Sequence, residues 1–214
     1  MKVVILGANG AIARLVESKI FSNSKYADIH LTLFLRKSHR INDLADNERA
    51  SVIEGDVMEQ KILSSAMQSQ DIVFAAMGAT GSVGLTQEII NAMRVNNVKR
   101  VISINDLGIY GEVPGAFGEW NKQMVGKGLK IGRQSADLLE DSGLDYTILR
   151  LAWLTNKPEV NYEITQKGEQ FKGTTVSRAS VADVVLRIIA DPAFANKAGI
   201  GVDKPGTDGN RPVY

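Results

Sequence analysis

Short apolar runs alternate along the chain with segments whose apolar residues recur at helical spacing. The six runs predicted to form strands cover residues 3–6, 29–35, 51–55, 71–77, 100–104 and 146–149. After the first run, Ile12, Leu15, Val16 and Ile20 fall on one face of a helix. Strands that are apolar on both faces and alternate with helices are typical of a parallel sheet covered on both sides. The pattern therefore predicts an α/β fold with a doubly wound parallel sheet and helices on both faces.

The helical spacing repeats between the later strands. Helices are predicted over residues 60–67 and around residues 85–93. A long helical stretch ends at Ser142 and Gly143, where glycine suits the left-handed position that follows a helix.

The region after Trp153 is built from shorter segments. Short extended pieces are predicted around residues 162–165 and 174–177. A helix follows, opened by Ser180 with Asp183 three residues later, which is the pattern of a capping box. We interpret this region as a small elaboration of the parallel sheet.

The C-terminal tail, the length and the composition indicate the number of domains. Residues 199–214 contain two prolines and four glycines, so we interpret them as loop that could include one short strand. The chain has 214 residues and is 44% hydrophobic, which fits one domain with a full core. We expect a single domain over residues 1–214, with residues 153–214 forming the elaboration on the substrate side.

Charge and cysteine content exclude several function classes. The chain has 25 basic and 24 acidic residues, and this balance argues against electrostatic binding of nucleic acid. Its apolar runs are shorter than the roughly 18 to 20 residues that a membrane span needs. Without cysteines, and with two histidines, the sequence offers no thiolate or histidine-built metal site. We expect a cytoplasmic protein with no metal.

The first strand runs directly into Gly-Ala-Asn-Gly-Ala-Ile-Ala and then into a helix. The first glycine permits the tight turn, and the second lets a pyrophosphate approach the backbone amides at the helix start. The alternative is an ordinary turn between a strand and a helix. Because the loop follows the first strand of an alternating chain, we favour a dinucleotide site. Its predicted cofactor-binding residues are Gly7, Asn9, Gly10, Ala11 and Ile12.

The end of the second strand indicates which dinucleotide is bound. NAD-binding domains usually place an acidic residue there, whereas this chain has Arg36 and Lys37. A 2′-phosphate carries about two negative charges, and a guanidinium can bind it through two hydrogen bonds. The alternative is that both cations belong to a solvated strand end. We favour NADP(H) over NAD(H).

Two further strand ends are expected to line the same groove, because ligands bind beyond the carboxyl ends of strands in open sheets. Asp56 and Val57 follow the third strand, where Asp56 could accept from the adenine amino group, cap the next helix, or do both. Ala76, Met77 and Gly78 follow the fourth strand, where the small residues would let the backbone pass close to the ribose or form a tight turn.

These motifs together resemble a family. The Gly-Ala-Asn-Gly loop, the Asp-Val pair, and the stretches 99–102, 142–150 and 177–183 are similar to those of the atypical short-chain dehydrogenase/reductases, especially the NmrA-like and flavin-reductase-like group. The resemblance covers almost the whole chain. It implies a Rossmann-type fold and a nicotinamide cofactor, usually NADP. The group includes reductases of flavins and quinones as well as catalytically silent cofactor sensors.

The chain departs from the catalytic pattern of that superfamily. Active members use a serine after the fifth strand and a Tyr-x-x-x-Lys pair for proton transfer. None of the five tyrosines here precedes a lysine by four positions, and Asp106 stands where the serine is usual. Tyr146 and Arg150 have the spacing, but they belong to the sixth strand and are interpreted as structural. Alcohol oxidation by the tyrosine mechanism is therefore not expected.

Two other residues are candidates for catalysis. Tyr110 lies in the segment after the fifth strand, and Arg133 takes the place of a lysine that many NmrA-like relatives carry before the Ser-Gly-Leu turn. Arg133 could reach the nicotinamide ribose or an anionic substrate. The alternative is a surface ion pair with Asp137, one helical turn away, worth about 0.3 to 0.5 kcal/mol. Trp153 could stack on a planar ligand or belong to the core.

The sequence supports two main hypotheses of function. The first is an NADPH-dependent reductase that passes hydride directly to a planar acceptor such as a flavin or a quinone, a reaction that tolerates the missing tyrosine and lysine. The second is a redox sensor that binds the cofactor without turnover. A sugar-nucleotide epimerase or dehydratase is disfavoured, because the residues for its proton transfers are missing.

Overall fold

The computed structural model describes residues 1–78 and 82–214. In chain order, its strands are β1 (Lys2–Leu6), β2 (His30–Leu35), β3 (Ala50–Glu54), β4 (Ile72–Ala75), β5 (Arg100–Asp106), β6 (Asp145–Leu151), β7 (Trp153–Thr155), β8 (Glu163–Thr165), β9 (Thr175–Ser177) and β10 (Ala198–Asp203). Its α-helices are α1 (Ala11–Ser22), α2 (Gln60–Ala66), α3 (Val83–Val95), α4 (Gly115–Val125), α5 (Lys127–Glu140) and α6 (Arg178–Ala190). Two 3₁₀ segments, Ser24–Tyr26 and Ser38–Leu44, flank β2.

The main sheet has eight strands in the order β3-β2-β1-β4-β5-β6-β10-β8. Its pairings are parallel except for β8, which runs antiparallel to β10. The six strands predicted from the apolar runs are β1 to β6, and they lie side by side, which confirms the Rossmann-type fold. The chain builds outward from β1 to β3, then returns to build outward from β4. Such a switch point opens a crevice at the carboxyl ends of the strands.

Helices cover both faces of this sheet, as predicted. On one face, α1 and α6 pack on the sheet through residues such as Val16 and Val185. On the other face, α2, α3 and α5 do so through residues such as Leu63, Met93 and Leu139. The central strands are buried from both sides, which explains why their sequences are continuously apolar.

The buried face of α1 differs in one position from the predicted stripe. Ile12, Val16 and Ile20 are buried as expected, whereas Leu15 is 36% exposed. Glu17 instead occupies an inward position and is 1% exposed. A carboxyl group therefore lies in the layer between the helix and the sheet.

The long helical stretch predicted before Gly143 is two helices. The chain breaks at Gly126, whose φ of +58° no ordinary helix contains, and α5 starts at the next residue. Gly143 has the left-handed φ of +76° that the sequence predicted after the second helix.

The start of α6 corrects the predicted cap. Ser177 is the N-cap, and its side chain accepts a hydrogen bond from the amide of Ser180. Ser180 is buried inside the first turn, and Asp183 accepts a 2.9 Å hydrogen bond from the hydroxyl of Tyr162. The helix therefore begins earlier than predicted, because Ser177 is itself a favourable N-cap residue.

The tail contains a full strand of the main sheet. β10 pairs along β6, and β8 pairs along β10, while β7 and β9 form a separate two-stranded ribbon. A Cβ atom on Gly201 would lie 2.6 Å from a ring carbon of Phe171, and one on Gly199 would lie 3.2 Å from the hydroxyl of Tyr110. The glycines that suggested a loop are thus places where two aromatic rings cross the strand.

The helices of the described chain are too short or too polar to cross a membrane.

Candidate functional site

A groove runs along the carboxyl ends of the strands and is divided into two cavities. The first, called here the basic cavity, has a volume of about 700 Å³ and lies beyond β2, β1 and β3. The second, called the apolar cavity, has a volume of about 560 Å³ and lies toward β5 and β6. Gly10 lines both, so the glycine loop stands at the switch point between them.

The glycine loop presents helix amides to this junction. Gly7 turns out of β1 with a φ of +83°, and its amide donates to the carbonyl of Phe34 at 2.9 Å. Gly10 caps α1, and its carbonyl accepts the first helical hydrogen bond from Arg14 at 2.9 Å. The amides of the first three helical residues are not used by the helix itself. They form the donor set that a pyrophosphate requires.

The loop is tightly packed at the two glycines. A Cβ atom on Gly7 would lie 2.8 Å from Cγ of Met77, and one on Gly10 would lie 3.1 Å from the carbonyl oxygen of Gly7. The positive φ at position 7 also favours glycine over any residue with a side chain. The loop is therefore a cradle that a side chain would fill, and it fits a dinucleotide.

The far end of the basic cavity is cationic. Arg36 and Lys37 line it as the sequence suggested, and Arg40 lines it as well. The loop that carries them is held by Glu54, whose carboxylate accepts from the amide of Ser38 at 2.8 Å. Hydrogen bonds from Ser38 lower the pKa of Glu54. The acid at the end of β3 thus anchors the loop that carries the three cations.

Arg40 was not selected by the sequence analysis. Its only signal was a third cation four residues after Arg36 in the same loop. The 3₁₀ segment that follows β2 brings it back to the cavity.

The third strand end contributes Asp56 and Val57 to the basic cavity. Oδ1 of Asp56 accepts from the amide of Met58 at 2.9 Å, so this carboxylate shapes the turn before α2. Val57 is buried and forms part of the wall. The N-cap of α2 is Glu59, so Asp56 does not cap that helix, and its contact with an adenine amino group stays a prediction.

The fourth strand end lies at the junction itself. Met77 lines the basic cavity, whereas Ala76 and Gly78 line the apolar cavity. The three residues predicted to pass close to a ribose therefore lie where the two cavities meet.

The apolar cavity is walled by side chains from distant parts of the chain. Its apolar residues include Ile104, Leu107, Met124, Leu151 and Trp153, and Asp106 and Arg178 are its charged residues among those described. In the sequence, Asp106 stood out only as a replacement for serine, and Arg178 carried no local signal. Side chains from β5, α4, β7 and α6 converge here through packing that no local motif encodes.

Trp153 packs against the core and also lines the apolar cavity. Its indole lines the apolar cavity, and its ring lies 4.8 Å from that of Trp120 at an angle of 51°. Its Nε1 donates to Oδ1 of Asn121 at 3.0 Å. The ring is therefore held rigidly with part of its surface toward the cavity.

Tyr110 and Arg133 are placed together but outside the lining of both cavities. The hydroxyl of Tyr110 donates to Oε1 of Glu140 at 2.6 Å, and the guanidinium of Arg133 lies 4.8 Å from the tyrosine ring. Burial and the bond to Glu140 raise the pKa of Tyr110 above its ordinary value. Arg133 pairs with Asp137 at 2.6 Å on the surface of α5, which is the alternative considered for it. The geometry argues against catalytic or cofactor contacts for either residue.

The turn after β5 explains this placement. Gly108 and Gly111 have φ values of +91° and +76°, and the carboxylate of Glu112 accepts from the amides of Gly108 and Tyr110. The turn therefore folds around Glu112 and directs Tyr110 toward β10 instead of toward the groove. Arg150, which is fully buried, binds the same carboxylate at 2.7 Å, so it is structural as interpreted from its strand.

Comparison with known proteins identifies the family. A sequence profile described as NAD(P)H-binding matches residues 7–192, a range that includes the glycine loop and the cationic loop after β2. This protein belongs to the NAD(P)H-binding family of oxidoreductases. The assignment agrees with the resemblance to the atypical short-chain dehydrogenase/reductases.

Solved structures are similar over the whole chain. A short-chain dehydrogenase/reductase of Veillonella parvula in complex with NADP is 34% identical, with a TM-score of 0.91 over 100% of this chain and 99% of that one. A Rossmann-fold NAD(P)-binding family protein of Shigella flexneri is 38% identical, with a TM-score of 0.83 over 100% and 98%. The protein named uncharacterized sugar epimerase YhfK of Bacillus subtilis (strain 168) is 26% identical over 210 residues, 92% of each chain.

The described residues contain no group of three or more histidine, cysteine, aspartate or glutamate side chains that could hold a metal ion. The groove instead combines helix amides, a cationic end and an apolar end. This arrangement can bind an extended dinucleotide and place its reactive ring in the apolar cavity.

Proposed function

We propose that the protein is an NADPH-dependent reductase of a planar acceptor such as a flavin or a quinone. The observation that carries the proposal is the asymmetry of the groove, which has an excess of cations at one end and balanced charges beside Trp153 at the other. An NADP molecule has its 2′-phosphate at one end and its nicotinamide at the other, so the two ends match.

The cationic end supports the choice of NADPH over NADH. Arg36, Lys37 and Arg40 surround the opening where the adenosine ribose of a dinucleotide ends in this fold. A 2′-phosphate with about two negative charges would be stabilised by these cations through charge-assisted hydrogen bonds. A free 2′-hydroxyl would gain little from them, because it prefers a carboxylate acceptor.

The bound cofactor would supply hydride, which carries two electrons and one hydrogen from the nicotinamide ring to the acceptor. One proton from water completes the reduced acceptor, and NADP⁺ is left. The residues around the apolar cavity hold the acceptor flat and exclude bulk water, with Trp153 as the rigid aromatic wall. No tyrosine or lysine is among the described lining residues of this cavity, so orientation is the main contribution of the protein.

The proposal is tested by following NADPH oxidation at 340 nm with purified protein and a panel of flavins and quinones, with NADH as the comparison. We expect steady-state oxidation with at least one acceptor and a lower Michaelis constant for NADPH than for NADH. The reductase proposal fails if NADPH binds but no acceptor in the panel is reduced.

A cofactor sensor is the second candidate, and the position of Asp106 favours it. A carboxylate lines the apolar cavity at the end of β5, where catalytic members of the superfamily have serine. Similar affinity for NADPH and NADP⁺ in calorimetry, together with no turnover, would support the sensor. The same panel with sugar nucleotides added tests the activity suggested by the name of the Bacillus subtilis relative.

A further inference from the structure

We infer that the acceptor carries an anionic group, a carboxylate or a phosphate, and that Arg178 binds it. This inference rests on the proposed function, because it concerns the ligand of the apolar cavity. Arg178 is the first residue of α6 and lines that cavity together with Trp153 and Leu154. A guanidinium at the edge of an apolar pocket is the group that best recognises a planar anion.

Three other arginines have structural roles, and their hydrogen bonds can be compared with those of Arg178. Arg100 donates to four backbone carbonyls and to the hydroxyl of Thr147. Arg49 donates to the carbonyls of three residues at the end of α1 and the turn after it. Arg150 pairs with Glu112 and donates to two carbonyls. Each of these guanidinium groups is extensively bound by the fold.

Arg178 is bound differently. Its Nη1 donates to Oδ1 of Asn156 at 2.8 Å in an exposed setting. None of the ion pairs formed by the described residues includes Arg178. A guanidinium has five N–H donors, so the contact with Asn156 leaves most of its capacity for a ligand.

The surroundings of Arg178 favour binding of an anion at its guanidinium over other places in the cavity. Most of the cavity wall is apolar, and an anion placed there without a partner would lose its hydration at high cost. Asp106 is the other charged residue of the described lining, and its like charge disfavours an anion beside the end of β5. The anionic group is therefore directed to Arg178, and the planar ring is left to pack along Trp153.

The test compares pairs of ligands that share one ring system and differ in charge. The probes are a naphthoquinone that bears a carboxylate and the same quinone with a neutral carboxamide, and riboflavin with its 5′-phosphate forms a second pair. Binding is measured in the presence of saturating NADP⁺ by quenching of tryptophan fluorescence, which does not require turnover. The Michaelis constants of the same acceptors with NADPH are measured in parallel.

The main variant is Arg178→Gln, because glutamine can keep the contact with Asn156 while the charge is lost. We expect it to raise the dissociation constant of the anionic probe about tenfold or more, and that of the neutral probe less than about twofold. Arg178→Lys should restore part of the preference, because it restores the charge without the planar fork. Lys127→Ala removes an exposed cation of α5 that does not line the cavity, so it should leave both constants unchanged.

The outcomes separate this inference from the proposed function. An equal effect of Arg178→Gln on charged and neutral probes overturns the inference, even if NADPH is oxidised. Discrimination between the probes without any NADPH oxidation supports the role of Arg178 and overturns the reductase proposal. A preference for the carboxylate pair over the phosphate pair, or the reverse, identifies which anion the acceptor carries.

Discussion

Glu17 and Arg14 form an ion pair of 3.0 Å across one turn of α1, and the glutamate side chain is 1% exposed while the arginine side chain is 32% exposed. Arg14 also binds Asp43 in the segment after β2. Oε1 of Glu17 has no hydrogen-bond partner among the described residues. Arg14 and Glu17 therefore join α1 to the loop that lines the basic cavity. One carboxylate oxygen of Glu17 stays buried without a hydrogen-bond partner among the described residues.

This arrangement predicts a pH-dependent stability. Burial raises the pKa of Glu17 from its ordinary value of 4.5 to about 7, against the opposing effect of Arg14. The folded state therefore holds this proton more tightly than the unfolded state, so the free energy of unfolding falls as the pH rises from 4.5 to about 7. Glu17→Gln should raise the free energy of unfolding by about 1 to 3 kcal/mol at pH 8 and by much less at pH 4.5.

Urea unfolding of both proteins at the two pH values measures this difference. Comparing the variant with the parent isolates Glu17 from Asp203, another buried carboxyl whose pKa burial raises to about 6. A gain that is the same at both pH values would show that Glu17 is not the titrating group.

Arg36→Glu should shift cofactor preference. The substitution places a negative charge beside the expected 2′-phosphate, so the dissociation constant for NADPH should rise about a hundredfold and that for NADH less than about threefold. Isothermal calorimetry with both cofactors measures the ratio. Lys61→Ala, which removes an exposed cation of α2 outside the cavity lining, is the matched control. Equal losses of affinity for the two cofactors would show that Arg36 is only part of a solvated strand end, the alternative considered from the sequence.

Gly10→Ala should weaken binding of both cofactors. The added Cβ atom would lie 3.1 Å from the carbonyl oxygen of Gly7, inside the cradle expected to receive the pyrophosphate. We expect a loss of affinity of about tenfold or more for NADPH and NADH alike, and a larger loss for Gly10→Val. Gly209→Ala adds the same atom at a distant exposed glycine and should change neither affinity. Normal folding with unchanged affinity in Gly10→Val would show that the site is misplaced.

Tyr110→Phe should affect stability more than catalysis. The variant loses the hydrogen bond to Glu140, whose carboxylate keeps its contact with Lys167 at 2.7 Å. The free energy of unfolding should fall by about 0.5 to 1.5 kcal/mol. Because Tyr110 does not line the groove, the maximal rate should fall by less than about twofold, whereas loss of a general acid typically costs about 10² to 10⁴. A rate loss near a thousandfold with intact cofactor affinity would make Tyr110 the proton donor.

The strands and the glycine loop could be predicted from the sequence because their signals are local. The inner parallel strands are buried on both faces and are therefore mainly apolar, so β1, β2, β4, β5 and β6 are visible as runs. The edge strand β3 has no fully buried residue and was visible through Val52 and Ile53. Gly7 and Gly10 were visible because the turn itself demands them. Arg36 and Lys37 could be placed because a strand end fixes where the next residues lie.

The rest of the site depends on contacts between distant segments. Tyr110 leaves the groove because Glu112 binds the turn that carries it. Arg178 joins the apolar cavity only because α6 starts at its rim. No spacing along the chain encodes either contact, so the sequence suggested Tyr110 and overlooked Arg178. The same holds for β10. Its glycines Gly199 and Gly201 are explained by the rings of Tyr110 and Phe171, which come from distant segments and pack against the strand.

The position of β10 has a consequence for synthesis of the chain. β8 precedes β10 in sequence, yet among the described strands β10 is its one partner in the main sheet. On the ribosome, β1 to β6 can assemble in order, whereas β8 has no edge to pair with until Asp203 has emerged from the exit tunnel. A nascent chain stalled before that residue should therefore expose β6 as an open parallel edge, a form that chaperones would have to protect from pairing with other chains.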